Sequence, residues 1–77
     1  MKSGWEKLPP DDIQPEGWVL YRPEIKTLAT IFFDGRYWDY KIYHEGKVIR
    51  HSIATTEKGA RWNCMRLIKR FYEKEKP

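Results

Sequence analysis

Few residues of this 77-residue chain could carry out acid–base, nucleophilic or metal chemistry. They are two histidines, His44 and His51, and one cysteine, Cys64. Neither histidine stands beside a recognisable nucleophile, and one cysteine with two histidines does not supply the four ligands of a structural zinc site. No glycine-rich stretch has the G-x-x-x-x-G-K spacing that cradles phosphates. The sequence therefore predicts no enzyme, metal, cofactor or small-molecule substrate.

Lysine and arginine could do a different kind of chemistry, because they neutralise phosphates. The chain has 15 of them against 11 acidic residues, a net charge of +4. Positions 55 to 77 hold seven basic and three acidic side chains, so this segment alone carries an excess equal to the net charge of the whole chain. Concentrated positive charge favours a polyanionic partner. The candidate nucleic-acid contacts are Lys41, Arg50, Arg61, Arg66, Lys69 and Arg70.

Aromatic side chains make up 16% of the chain, and exposed rings can stack on bases or serve as hot spots of protein interfaces. Two functions therefore stay open. One is a non-enzymatic module that binds nucleic acid, with DNA favoured, through backbone phosphates. The other is a small accessory or modulator protein, such as phages and mobile elements encode, that binds another protein. The candidate partner-binding aromatics are Phe32, Tyr37, Tyr43 and Trp62.

The elements that must position these residues begin with a C-terminal helix over residues 55–75. Apolar residues recur there at the spacing that places them on one face of a 3.6-residue helix. Thr55 or Thr56 can cap the first turn, and Gly59 indicates a close approach of helix and sheet. The apolar stripe comprises Ala60, Cys64, Leu67, Ile68 and Phe71.

Upstream, residues 17–54 contain short runs of β-branched and aromatic residues separated by turn residues, which is typical of an antiparallel sheet. Three strands are predicted at 27–33, 37–43 and 48–53, with a possible fourth short edge strand at 18–22. The Asp-Gly pair at 34–35 predicts a two-residue hairpin turn in which Phe33 pairs with Arg36. Tyr43 pairs with Val48 across the next turn. The face predicted to lie against the helix carries Ala29, Ile31, Trp38, Tyr40, Ile42, Ile49, His51 and Ile53.

The opposite sheet face then places Lys41 across from Arg50, beside Phe32 and Tyr43. The sheet cations and the helix cations would lie on opposite sides of the domain, so both groups could not contact one short duplex. Residues 1–16 are rich in proline and are predicted to form an irregular arm, either pinned across the sheet by Trp5, Leu8 and Ile13 or loose.

Together these patterns predict one α+β domain, in which a three-stranded antiparallel β-meander packs against one C-terminal amphipathic helix. A single cysteine allows no intramolecular disulfide, which favours a reducing, cytoplasmic location. Residues 1–7 lack the apolar run of a signal peptide, and no stretch approaches the roughly 20 apolar residues that span a bilayer. No membrane partner is predicted.

The order of three antiparallel strands and one helix, with a Thr-Thr-Glu entry at 55–57 and Ala60 in the first turn, resembles in outline some small DNA-binding modules. They are the AP2 type and the arm-binding domain of some phage integrases. The resemblance is architectural and covers about residues 27–72. In those families the outer face of the sheet enters the major groove. The resemblance implies that the residues reading DNA are Arg36, Lys41 and Arg50.

Overall fold

The computed structural model describes residues 4–10 and 15–75. Within them, five antiparallel strands lie in the order β1-β2-β3-β4-β5, and one helix follows the sheet. The fold is therefore α+β, as predicted, but the three-stranded meander undercounts the strands. The elements are β1 Trp5–Leu8, β2 Gly17–Arg22, a 3-10 turn at Pro23–Ile25, β3 Thr27–Phe33, β4 Trp38–His44, β5 Lys47–Ala54 and α1 Glu57–Glu75.

The two additional strands come from the N-terminal part of the chain. Trp5–Leu8, predicted to be irregular, pairs with β2 in a register that sets Trp5 opposite Leu20. β2 is consequently an interior strand rather than an edge strand. The described prolines of this part, Pro9, Pro10 and Pro15, lie between the strands, where a missing N–H breaks no ladder bond. Trp5 packs against the core, whereas Ile13 lies outside the described residues.

The core lies between one sheet face and α1. Ala60, Cys64 and Ile68 of the predicted helical stripe are buried, and Leu67 and Phe71 pack against them half-buried. The apolar stripe of the helix is confirmed. The sheet and the 3-10 turn contribute the buried residues Leu20, Ile25, Ala29, Ile31, Tyr40 and Ile42. Within the described residues, no helix combines the length and apolar character needed to cross a membrane.

The loop between β3 and β4 is longer than predicted. A carboxylate oxygen of Asp34 accepts the N–H of Arg36 at 2.9 Å and that of Tyr37 at 2.6 Å. The N–H of Asp34 donates to the carbonyl of Tyr37 at 3.0 Å. These bonds close a four-residue loop, so Phe33 pairs with Trp38 and not with Arg36. The shift is two residues, which leaves every side chain on its predicted face.

The register between β4 and β5 shifts part-way along the two strands, and the shift changes the sheet face on which later β5 side chains lie. Glu45 and Gly46 have positive φ angles of 53° and 83°, as a two-residue type I′ turn requires. Tyr43 pairs with Val48 as predicted, but the next pair is Ile42 with Arg50, which leaves Ile49 as the extra residue of a β-bulge.

The bulge exchanges the two faces of the rest of β5. Arg50 and Ala54 lie opposite Ile42 and Trp38 on the helix side, whereas His51 lies opposite Lys41 on the outer face. The prediction that His51 and Ile53 face the helix is therefore wrong, and Ile49, the unpaired residue of the bulge, is 43% exposed. Ile53 is 52% exposed.

The first turn of α1 lies beside the end of β5. A methyl group added at Gly59 would lie 3.9 Å from Cβ of Ala54, an ordinary van der Waals distance, and 3.0 Å from Oγ1 of Thr56. That Thr56 hydroxyl accepts the N–H of Gly59 at 3.0 Å and caps the first turn, as predicted for Thr55 or Thr56. The space at Gly59 is therefore limited by the helix cap rather than by the sheet.

Candidate functional site

Three arginines converge between the end of the sheet and the C-terminal half of α1. Arg50 comes from β5, and Arg66 and Arg70 come from the helix. They line an open hollow of about 220 Å³, here called the arginine hollow. Its remaining lining residues are Tyr40, Asn63 and Leu67.

The geometry of the two elements brings these residues together. Positions 63, 66, 67 and 70 recur at the i, i+3, i+4 and i+7 spacing that forms one flank of a helix. The β-bulge turns Arg50 toward that same flank. Tyr40 is 7% exposed and belongs to the core, so it forms the base of the hollow beside Leu67. The sheet therefore contributes one of the three arginines and the helix contributes the other two.

The hollow is electropositive because its lining contains three guanidinium groups and no carboxylate. All three arginines are exposed. Among the described residues, the ion pairs link Lys7 with Glu16, His51 with Asp39 and Arg61 with Glu57, and none of them involves an arginine of the hollow. Like charges gathered on one hollow repel one another, and an anion between them would offset this repulsion. The arrangement favours a multiply charged oxyanion such as a phosphate group.

Arg61, another candidate contact, is engaged in the fold instead. Its guanidinium lies 3.5 Å from a carboxylate oxygen of Glu57 and 5.0 Å from the centre of the Trp18 ring. The indole N–H of Trp18 donates to the other carboxylate oxygen of Glu57. This half-buried group fastens the first turn of α1 to β2. Arg61 is therefore not part of the arginine hollow.

Lys69 and Trp62 lie on the outward side of α1. Trp62 is 59% exposed, and the Arg66 guanidinium lies over its ring at 4.6 Å from the ring centre. A shallow depression beside the ring is lined by Trp62, Met65, Arg66, Ile68, Lys69 and Tyr72. Arg66 lines both this depression and the arginine hollow, so the two are adjacent.

Lys41 lies on the outer face of the sheet, away from α1. It pairs with Thr30 on one side and His51 on the other. The predicted pairing of Lys41 with Arg50 is therefore wrong, and the DNA-reading trio implied by the resemblance does not share a face. Lys41 lines a second open hollow, whose other lining residues are Pro15, Thr30, Phe32, Phe33, Asp34, Asp39 and Tyr43.

The four candidate aromatics are not brought together. Phe32 and Tyr43 line the hollow of the outer face, whereas Trp62 lies on the helix. Tyr37 belongs to the loop before β4, where its backbone closes the turn with Asp34. An aromatic surface made of all four is therefore not present.

Cys64 and His44, which could in principle do chemistry, take part in the packing and hydrogen bonding of the fold. Burial raises the pKa of the Cys64 thiol to about 12, which keeps it protonated and unreactive near neutral pH. The hydroxyl of Thr27 donates to the carbonyl of Ile25 at 2.9 Å, so at 3.0 Å it accepts from Nδ1 of His44. The His44 ring stacks on Phe71 with 4.4 Å between ring centres. Across the described residues, no three His, Cys, Asp or Glu side chains cluster as a metal site would need.

Asn63 and Tyr40 are the site residues that sequence reasoning missed. The sequence predicts that Tyr40 belongs to the core, and it gives no reason to place this residue at a site. Asn63 follows an exposed tryptophan on a basic helix, and nothing in the sequence distinguishes this asparagine as a site residue. No sequence signal marks the position of Arg50. Residues 50–52 are polar in succession and residues 53–54 are a second apolar pair, so β5 has no regular alternation whose interruption would show where the bulge forms.

Comparisons with known proteins find no family model that matches this chain, and no curated protein or solved structure of significant similarity.

Proposed function

We propose that this protein is a non-enzymatic module that binds nucleic acid through its backbone phosphates, with Arg50, Arg66 and Arg70 as the principal contacts. The observation that carries the proposal is the convergence of these three arginines on one hollow without a carboxylate. Each guanidinium can donate two parallel hydrogen bonds to a phosphate. Tyr40 of the core and Leu67, which packs against the core, complete the lining of the hollow.

A polymer explains the charge distribution better than a single small anion does. The basic excess extends along α1 beyond the hollow, to Lys69 on its outward side. Successive phosphates of one strand can contact successive cations along the helix. Positive charge that is spread along an element in this way also steers a polyanion toward it.

The test is fluorescence anisotropy of labelled oligonucleotides, duplex and single-stranded, at several salt concentrations. Affinity should fall with salt, with a logarithmic slope of about 0.9 per phosphate contacted on duplex DNA or about 0.7 on a single strand. Arg66→Ala/Arg70→Ala should weaken binding by on the order of tenfold or more, because two charge-assisted contacts are lost.

The matched control is Arg36→Ala/Lys41→Ala, which removes the same charge from outside the hollow and should change affinity little. It also tests the sheet face that the resemblance implied. Absence of binding at low salt, or equal losses in the two double variants, would overturn the proposal. Binding of free phosphate or of a dicarboxylate without binding of oligonucleotides would point to a small anion as the ligand.

A second candidate function is the binding of a protein partner at the outer face of the sheet. No described element covers that face, and Tyr21, Val48 and Ile53 are 61%, 52% and 52% exposed on it. The hollow formed by Phe32 and Tyr43 lies on the same face. This candidate predicts an interaction that is nearly insensitive to salt, is lost in Phe32→Ser and persists in Arg66→Ala/Arg70→Ala.

A further inference from the structure

The large, mostly apolar side chain of Trp62 is exposed to solvent beside the arginine hollow. It is 59% exposed, although the same helix buries Cys64 and Ile68 completely or nearly so. The fold therefore does not use most of this ring to form its core. An exposed tryptophan has a broad face on which another planar group can stack.

The Trp62 ring contacts a residue of the arginine hollow. The Arg66 guanidinium lies 4.6 Å from its centre, and the two residues are one helical turn apart. The same Arg66 lines the arginine hollow. The ring also borders the shallow depression that is lined by Met65, Arg66, Lys69 and Tyr72. A planar surface thus lies beside two cationic residues of the helix, Arg66 and Lys69.

This order of groups matches the repeating chemistry of a nucleic-acid strand. Phosphates alternate with bases along the strand, and single-strand binding sites combine a positive groove with rings on which bases stack. The rise of 1.5 Å per residue places Arg66 and Arg70 about 6 Å apart along the helix axis. A phosphate in the hollow would leave the adjoining base beside Trp62, with Lys69 near the next phosphate.

Building on the proposed function, we infer that the site selects nucleic acid with unpaired bases, one of which stacks on Trp62 while a neighbouring phosphate occupies the arginine hollow. In a duplex the faces of the bases are covered by their neighbours, and a base must leave the stack before a ring can reach it. A duplex can therefore contact the arginines but not the face of Trp62.

The experiment compares one oligonucleotide sequence as a single strand and as a duplex, by anisotropy, for wild type, Trp62→Leu and Trp62→Phe. The wild type should bind the single strand more tightly. Trp62→Leu should weaken that binding by roughly tenfold, within the range expected for loss of one stacked base, and should change duplex binding less than about twofold. Trp62→Phe retains a ring and should recover most of the affinity.

Intrinsic fluorescence supplies a direct readout. An unlabelled single strand should quench the wild type, and the quenching should be much smaller in Trp62→Phe, in which the other three tryptophans remain. Unchanged thermal unfolding in the variants would show that the fold is intact, as expected for an exposed side chain.

The outcomes separate the two proposals. Equal affinity of the wild type for single strand and duplex, or single-strand binding that Trp62→Leu leaves unchanged, would overturn the inference while the proposed function stands. Absence of binding to either form at low salt would overturn the proposed function.

Discussion

Arg50 pairs with Ile42 across the β4–β5 ladder, with Ile49 as the extra residue between this pair and the next. The pairing places a guanidinium group opposite a fully buried isoleucine, on the face that α1 covers. Arg50 reaches the flank of the helix and joins Arg66 and Arg70. A single bulge thus determines whether the sheet contributes to the positively charged site.

Exchanging two adjacent residues should remove the site without changing the composition. In Ile49→Arg/Arg50→Ile, the arginine occupies the bulge position and isoleucine faces the hollow. Inorganic phosphate should stabilise the wild type by about 1.4 kcal/mol at ten times its Kd, a rise in Tm on the order of 5–10 °C for a domain of this size. The double variant should show a much smaller rise. The measurement is a thermal melt in phosphate against chloride at matched ionic strength, and an equal rise in both proteins would contradict the assigned site.

Two isoleucines test which apolar side chains form the core. Ile68 is 1% exposed beneath the sheet, whereas Ile53 is 52% exposed on the outer face. Ile68→Ala should lower the free energy of unfolding by about 2–5 kcal/mol, because it leaves a cavity. Ile53→Ala should change it by no more than about 0.5 kcal/mol. Urea denaturation followed by tryptophan fluorescence gives both values, and a large loss at Ile53 would mean that β5 presents its other face to the helix.

Cys64 should report opening of the core. Burial raises its pKa to about 12, so the folded state disfavours the thiolate. The contribution of the buried thiol to the free energy of unfolding is therefore fully present below the ordinary thiol pKa of 9.0. It is lost as the pH rises from there toward about 12. A thiol reagent at pH 8 should label the native protein slowly and the urea-unfolded protein at once. Fast labelling of the native protein would place Cys64 at the surface.

Asp34 should make the β3–β4 loop sensitive to acid. The N–H groups of Tyr37 and, next, Arg36 donate to its carboxylate and hold its pKa below the usual 3.8. The resulting stability is present above the unfolded-state pKa and is lost as the pH falls through the folded-state value. Asp34→Ala should lower Tm at pH 7 and flatten the decrease in Tm between pH 5 and pH 2. Asp34→Asn keeps an acceptor oxygen and should lose less. An identical acid profile in Asp34→Ala would argue against these bonds.

The amino-acid sequence by itself predicts the helix and most of the strands. The stripe of Ala60, Cys64 and Ile68 needs only the helical period, and the pairing of Tyr43 with Val48 depends only on the short turn between them. The concentration of positive charge after position 55 is likewise visible in the chain. Each of these features rests on residues close together in sequence, so local preference is enough to predict it.

Tertiary structure alone decided the register beyond the bulge, the pairing of Trp5–Leu8 with β2 and the position of Arg50 beside the helix. An alternating strand can present either face, and one extra residue exchanges the two. The exchange depends on how β5 pairs with β4, which is not a local preference of either strand. It sets Ala54 beside the first turn of the helix and Ile53 on the exposed outer face. The site follows from this pairing, because the same exchange of faces turns Arg50 toward Arg66 and Arg70.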